Sequence, residues 1–420
     1  MRHVIIGNSA AGVKAAETIR ALDPDAAITV ISEETAPAYS RCLLPNYLAG
    51  TRKEGDLLFR SRTFFARKRI DTMLGFRAVR VLPETKVVEL SDGRKVLYDK
   101  LLVATGSSTA FPPIPGLEGV GVFGLRTLAD ARAISASLPA VRRAVVIGAG
   151  FVGLETAYAL YHRGIEVTVV ERLPQVLPQQ FDARAAAILQ RDMQAEGIRF
   201  ILGRGIREMA GPSLWQRAFG RQGKGVILED GDHLKAELVV VATGTRPNVV
   251  MVKDTGMEID KGIVVDRYMQ TSIPDIYAAG DVAETVDAVT GERGLSPIWP
   301  NAVSQGKVAG YNMAGVRREY SPLIGMQNAV EFRAIPAIAV GITQPAGDQY
   351  EVLTAYRPER NLYKKLVLKD NVLVGMILVG DIARAGVYAA MMKKRVDVAS
   401  IKHKLLRSDF DYADLLYRTA

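Results

Sequence analysis

An α/β protein built on two parallel-sheet units is the fold class this sequence predicts, and three observations carry it. Residues 3–34, HVIIGNSAAGVKAAETIRALDPDAAITVISEE, read as strand, glycine turn, helix and second strand. The same pattern returns over residues 143–172 as RAVVIGAGFVGLETAYALYHRGIEVTVVER. A further echo pairs LLVATGS at residues 101–107 with ELVVVATGTRPN at residues 237–248. Apolar strand, glycine turn, helix and closing acid must recur in fixed order, so chance turns do not produce the pair.

In the first unit, residues 4–6 form the entering strand and Gly7 makes the tight turn. A helix begins near Ala10, where its unpaired N–H groups suit a pyrophosphate. Gly12 allows close helix–strand packing, residues 28–31 form the second strand, and Glu33 offers a carboxylate to ribose hydroxyls. The middle glycine of this dinucleotide-binding fingerprint is replaced by Ser9. Taken alone, the stretch has a blander, less favoured alternative, a glycine-rich turn that binds nothing. The second unit has all three glycines, Gly148, Gly150 and Gly153, and ends on Glu171, so both units read as Rossmann-like.

The chain has 420 residues, enough for two or three domains of about 150 residues each. A hydrophobic content of 48% fills a large core and argues against disorder. One cysteine, Cys42, excludes an internal disulfide framework and suits a reducing cytosol. Four scattered histidines and that single cysteine give no metal-ligand spacing, so no metal site is expected. The first strand follows Met1 almost directly, leaving no room for a signal peptide, and no apolar run is long enough for a membrane span. The expected location is the cytoplasm. A net charge of +9 first reflects solubility, then an acidic protein partner; no nucleic-acid motif accompanies it.

Between the repeats the organisation is coarser. TAPAYSRCLLPNYLAG suggests a loop and an interrupted helix, and the charged residues 51–75 read as helical. Residues 77–107 alternate with period two, predicting an antiparallel meander that turns at Asp92-Gly93 and ends in a buried strand. FPPIPGLEG, residues 111–119, looks like a crossover between domains. RAFGRQGKG, residues 217–225, reads as a solvated hairpin tip. TSIPDIYAAGDVAE ends an apolar run in Gly280-Asp281, and Pro300 starts a helix with small residues along one face. Beyond about Ser321 a mixed domain follows, with a hairpin turning at Asp370-Asn371 and an amphipathic helix in DIARAGVYAAMMKKR.

The ordered set GNSAAG, Glu33, ATGS, GAGFVG, Glu171, ATGTRPN and AAGD resembles the two-dinucleotide flavoprotein family related to glutathione reductase, across essentially the whole chain. The resemblance implies an FAD domain split around an inserted NAD(P)H domain, plus a C-terminal α+β dimerisation domain. Boundaries fall at 1–115 and 246–320 for FAD, 116–245 for NAD(P)H and 321–420 for the interface. Gly7, Ser9, Gly12 and Glu33 would hold the ADP half of FAD, and Asp281, after Gly280, its ribityl chain. The helix start near Asn301 and Ala302 would face the flavin pyrimidine edge. Gly148, Gly150 and Gly153 would bind the nicotinamide cofactor, with Glu171 favouring NADH while the adjoining Arg172 leaves NADPH open. Glu155 resembles the glutamate near the nicotinamide in relatives, its alternative being an ordinary helix carboxylate. Ala10, Ala11, Arg41, Cys42, Ala104, Thr105, Gly106, Phe151, Val152 and Gly244 complete the cofactor-binding positions.

SRCLLPNY resembles the single-cysteine branch that includes coenzyme A-disulfide reductase, NADH oxidase and persulfide reductase. Cys42, Leu44, Pro45 and Tyr47 match, whereas Leu43 replaces a glycine and Asn46 an aromatic. In that reading Cys42 takes two electrons to a disulfide or persulfide, Arg41 and a local helix end lowering the thiol pKa. The alternative is a small buried hydrophobe. IWPNAVSQGKVAGYNMAG and VGDIARAGVYAAMM equally resemble flavoprotein modules of NADH-dependent nitrite reductases and of ferredoxin or rubredoxin reductases. There a small redox protein is the acceptor and Cys42 is structural. A reading from another class is a slow-turnover flavin-binding interaction subunit. A homodimer is expected, with Tyr412 and Tyr417 near the partner's active site as in the coenzyme A-disulfide branch.

Overall fold

Parallel strands with helices between them account for both repeats in a computed structural model of the chain. It describes residues 1–119, 121–210, 224–287, 289, 291–321, 327–332, 335–411 and 413–416. Tyr412, Tyr417 and most of the expected 217–225 hairpin tip lie outside the described residues. The principal helices are α1 (Ala10–Leu22), α2 (Leu44–Leu48), α3 (Leu128–Ser137), α4 (Phe151–His162), α5 (Ala183–Glu196), α6 (Trp299–Met313) and α7 (Ala385–Lys393). Among the described residues no helix is long and apolar enough to cross a membrane.

The chain divides into two units. The first comprises Met1–Leu43, Arg52–Ser108 and Thr245–Leu323. Its central sheet is parallel, ordered Ile276–Ala278, Lys100–Val103, Arg2–Ile6, Ala27–Ser32, Asp71–Leu74. Strands buried on both faces read as continuous apolar runs, which is why residues 4–6, 28–31 and 101–103 were legible in the sequence. The meander follows as expected, Ala78–Leu82, Val87–Leu90 and Lys95–Leu97, with Gly93 left-handed in its turn.

Residues 51–75 differ from the helix expected there. They form short turns at Glu54–Leu57 and Phe64–Arg67, then a strand, Asp71–Leu74, paired in parallel with Ala27–Ser32. The strand lies at the sheet edge, so its residues are exposed to half-buried and its polarity hides the strand signal.

The second unit comprises Leu44–Thr51, Thr109–Gly244 and Ile324–Ala420. Its parallel sheet has the order Val122–Gly124, Leu238–Val241, Arg143–Ile147, Glu166–Glu171, Arg199–Leu202. Strand for strand this is the arrangement of the first unit. The edge strand, however, precedes the repeat here and follows the insertion there. An antiparallel five-stranded sheet, Gln327–Phe332, Ile335–Gly341, Val372–Val379, Leu362–Lys369 and Glu351–Arg357, completes the unit. Asp370 and Asn371 both adopt positive φ in its hairpin turn, as a two-residue loop requires. Helix α2 packs on α3 and α4, and Arg163 donates to the Leu48 carbonyl at 3.0 Å.

Candidate dinucleotide-binding sites

The two glycine turns are built alike. Gly7 N–H donates to Ile31 O and Gly148 N–H to Val170 O, both at 2.8 Å, which ties each turn to the end of the neighbouring strand. A Cβ on Gly7 would sit 2.0 Å from Ala104 O, and one on Gly148 2.5 Å from Ala242 O. The third glycines are equally constrained, since a Cβ on Gly12 or Gly153 would lie 2.0 Å from the carbonyl of Gly7 or Gly148. The middle position is different. Ser9 and Gly150 are N-caps with φ of −129° and −76°, a region open to any residue, which explains why serine serves in the first turn.

In the first unit α1 and α6 run parallel. Gly306 meets the backbone of Ala11, and Gly310 that of Ala15, so the small-residue face expected of the Pro300 helix lies against α1. Both positive helix ends therefore point the same way. Ala10 and Ala11 are buried at that end, and Ala11 and Ala302 both flank Gly280, which is left-handed. The Gly280 N–H donates to Gln305 Oε1 at 2.8 Å, and Ser107 Oγ donates to Asp281 Oδ2 at 3.0 Å. Ala104 N–H bonds Ile6 O. Thr105 Oγ1 donates to the Asn248 carbonyl at 2.7 Å and Gly106 O accepts from Asn248 N–H, so Thr105 ties two chain segments together. In the second unit Thr243 Oγ1 and Gly244 O hold Ala110 in the same manner.

Five buried polar atoms among the described residues of the first unit lack a hydrogen-bond partner: His3 Nδ1, Asn8 Oδ1, Tyr98 Oη, Asn301 Oδ1 and Gln305 Nε2. Asn301 and Gln305 are only 2% and 1% exposed, and the amide of Asn301 is otherwise bonded to Ser296. Such groups cost about 1–3 kcal/mol each when unpaired. Those of Asn8, Asn301 and Gln305 lie on the turn before α1 and the first turns of α6, where a polar cofactor carrying both donors and acceptors would pair them. Sequence reasoning missed Asn8, Ser107, Asn248 and Gln305; a polar residue in an apolar helix was the available signal for Gln305. Glu33 lies exposed just past its strand, while the neighbouring Glu34 accepts from Tyr39 and Arg41.

Cys42 is exposed, in the one-turn helix Arg41–Leu43, so it is not the buried hydrophobe of the alternative reading. The Arg41 guanidinium, one residue before it, is paired with Glu34.

In the second unit Glu171 is half-buried, and its carboxylate accepts from Ala149 N–H at 2.8 Å and Leu173 N–H at 2.9 Å. Gly150 heads α4 with nothing within 4 Å of a Cβ placed on it, leaving room for a ligand to approach the backbone. Phe151 packs edge-on to Phe181, and Val152 is exposed. Glu155, one turn along α4, is half-buried, and desolvation pushes its carboxyl up to about 7, in the range of a general acid–base group.

Two glycine turns, each at the carboxyl end of a parallel sheet, define a two-dinucleotide oxidoreductase. The chain belongs to the pyridine nucleotide-disulphide oxidoreductase family, which matches residues 1–306; residues 334–396 match the rubredoxin NAD+ reductase C-terminal domain. It is an NAD(P)H-dependent flavoprotein, and the family binds FAD with NADH or NADPH. A NADH oxidase of Methanocaldococcus jannaschii is 38% identical over 77% of this chain and 72% of its own length. The assimilatory nitrate reductase electron transfer subunit of Bacillus subtilis is 30% identical over 97% of this chain, which spans 51% of that relative. The solved NAD-dependent persulfide reductase of A. fulgidus has a TM-score of 0.86 at 30% identity, covering 95% of this chain and 78% of that one.

Proposed function

We propose that the chain oxidises NADH and delivers two electrons to a disulfide or persulfide through Cys42. The observation that carries this reading is the exposure of Cys42 on the Arg41–Leu43 turn. Gly7, Ser9, Gly12 and Glu33 would hold the ADP half of FAD, Asp281 the ribityl chain, and the start of α6 the pyrimidine edge. Gly148, Gly150 and Gly153 would hold NADH. FAD held by these residues would supply the chemistry of hydride acceptance and onward electron transfer. Cys42 thiolate attacks one acceptor sulfur and expels the other as a thiolate. Two electrons then cleave the mixed disulfide, so NADH, a proton and RSSR become NAD+ and two RSH.

Glu171 supports NADH over NADPH, because its carboxylate is held at the strand end where a 2′-phosphate would be repelled. The domain limits given by the sequence, a homodimer formed beyond Ser321 and a cytoplasmic location belong to the same reading.

A second reading is favoured by the match to the rubredoxin reductase C-terminal domain and by the net charge of +9. Here the acceptor is a small acidic redox protein and Cys42 plays no part. Anaerobic reduction by NADH followed by an acceptor panel, on wild type and Cys42→Ser, separates the two. Disulfide or persulfide reduction lost in Cys42→Ser supports the thiol route. Undiminished activity in that variant overturns it. A protein that stays colourless when supplied with FAD ends both readings.

A further inference from the structure

We propose that the C-terminal domain positions the nicotinamide-binding turn, with Gln344, Tyr363 and Lys365 as positioning residues that brace the loop behind it. This rests on the reading that Gly148, Gly150 and Gly153 bind the nicotinamide dinucleotide.

The peptide of Ala149 lies inside that glycine turn and is wholly buried. It is gripped from both sides. Its N–H donates to Glu171 Oε2, and its carbonyl accepts from Leu177 N–H at 2.8 Å. The backbone of Leu177 is left-handed, with φ of 49°, an unfavourable state for a buried leucine. Strain of this kind persists where surrounding contacts hold it.

The loop holds itself, with Phe181 N–H donating to the Leu177 carbonyl at 3.0 Å and Gln175 Nε2 to the Phe181 carbonyl at 2.7 Å, and the C-terminal domain adds contacts from outside. Gln344 Nε2 donates to the carbonyls of Pro178 at 2.7 Å and Phe181 at 3.1 Å, closing the loop from outside. At the loop's end Asp182 caps α5 through Ala185 N–H. Its other carboxylate oxygen accepts from Tyr363 Oη at 2.8 Å and pairs with Lys365 Nζ at 3.1 Å. The Lys365 side chain is 11% exposed, so this pair is shielded from screening. Burial and Asp182 hold the Tyr363 hydroxyl well above its usual pKa, keeping it a donor. Arg184 lies over the rings of Tyr356 and Tyr363, adding a second tie between α5 and the sheet. Within the loop, Phe181 packs on Phe151, the first residue of α4. Every link from Lys365 to Ala149 is thus a direct contact.

Equilibrium binding of NAD+ to the flavin-loaded protein tests the brace, measured by calorimetry beside NADH kinetics. The Gln344→Ala/Lys365→Met double variant is expected to raise the NAD+ Kd and the NADH KM by about tenfold, equivalent to about 1.4 kcal/mol. Its kcat and FAD content stay within about twofold of wild type, as for a loss of binding alone. Gln344→Ala and Tyr363→Phe alone give about threefold each, and Lys365→Arg, which keeps the ion pair, binds within about twofold of wild type. An unchanged Kd in the double variant overturns the proposal. Gly150→Val, which places a side chain in the open space before α4, serves as the control for the site itself. If it binds NAD+ like wild type, the site reading falls. If it loses NAD+ while the brace variants keep it, only the brace falls.

Discussion

Glu155 and the packing glycines carry the predictions made at the scale of single residues. The Glu155 carboxyl is raised from 4.5 to about 7 by desolvation, so the folded protein holds a proton the unfolded chain releases. Stability from this group is therefore complete below 4.5 and lost as pH rises through about 7. Urea unfolding of wild type across that window should show a midpoint falling with pH, and Glu155→Gln should remove this part of the slope. Gly12→Ala and Gly153→Ala separate the two sites, since each drives a Cβ into a backbone carbonyl 2.0 Å away. The first is expected to yield colourless protein. The second should keep its flavin yet show no bleaching by NADH. The visible spectrum before and after NADH reads both. These glycines were legible because turn geometry is encoded locally. Gln305 was not, because its partner Gly280 is brought to it only when α6 packs beside the sheet.

At the scale of elements, α1 and α6 pack closely, Gly306 and Gly310 of α6 meeting the backbone of α1 at Ala11 and Ala15. A Cβ on Gly306 would stand 2.1 Å from Ala11 O. Overpacking of this sort costs about 1–3 kcal/mol, so Gly306→Ala should lower both thermal midpoint and FAD retention. An unchanged midpoint would show that the helices separate without cost. Element existence was readable wherever a face was buried. It failed at Asp71–Leu74, an edge strand whose exposed residues carry no apolar alternation. It was silent on Leu177, whose left-handed backbone no propensity suggests.

For the whole molecule, the net charge of +9 makes the acceptor's nature visible in salt dependence. With an acidic redox protein as acceptor, kcat/KM should fall about tenfold between about 0.05 and about 0.5 M salt, while a neutral disulfide should respond little. Equal responses would remove electrostatic steering from the account. The Cys42→Ser comparison bears on both acceptor readings, since only one of them uses the exposed thiol.

Read by itself, the chain determined its two glycine turns, the parallel sheets behind them, the meander and the hairpin at Asp370-Asn371. Each depends on backbone angles and side-chain periodicity within a few residues. Tertiary structure decided the edge strands, the pairing of Arg41 with Glu34, the Gln305 contact and the brace from Lys365 to Asp182. Those choices join positions far apart in sequence, Gln344 and Phe181 being 163 residues apart, and only the packed core brings such groups within hydrogen-bond reach.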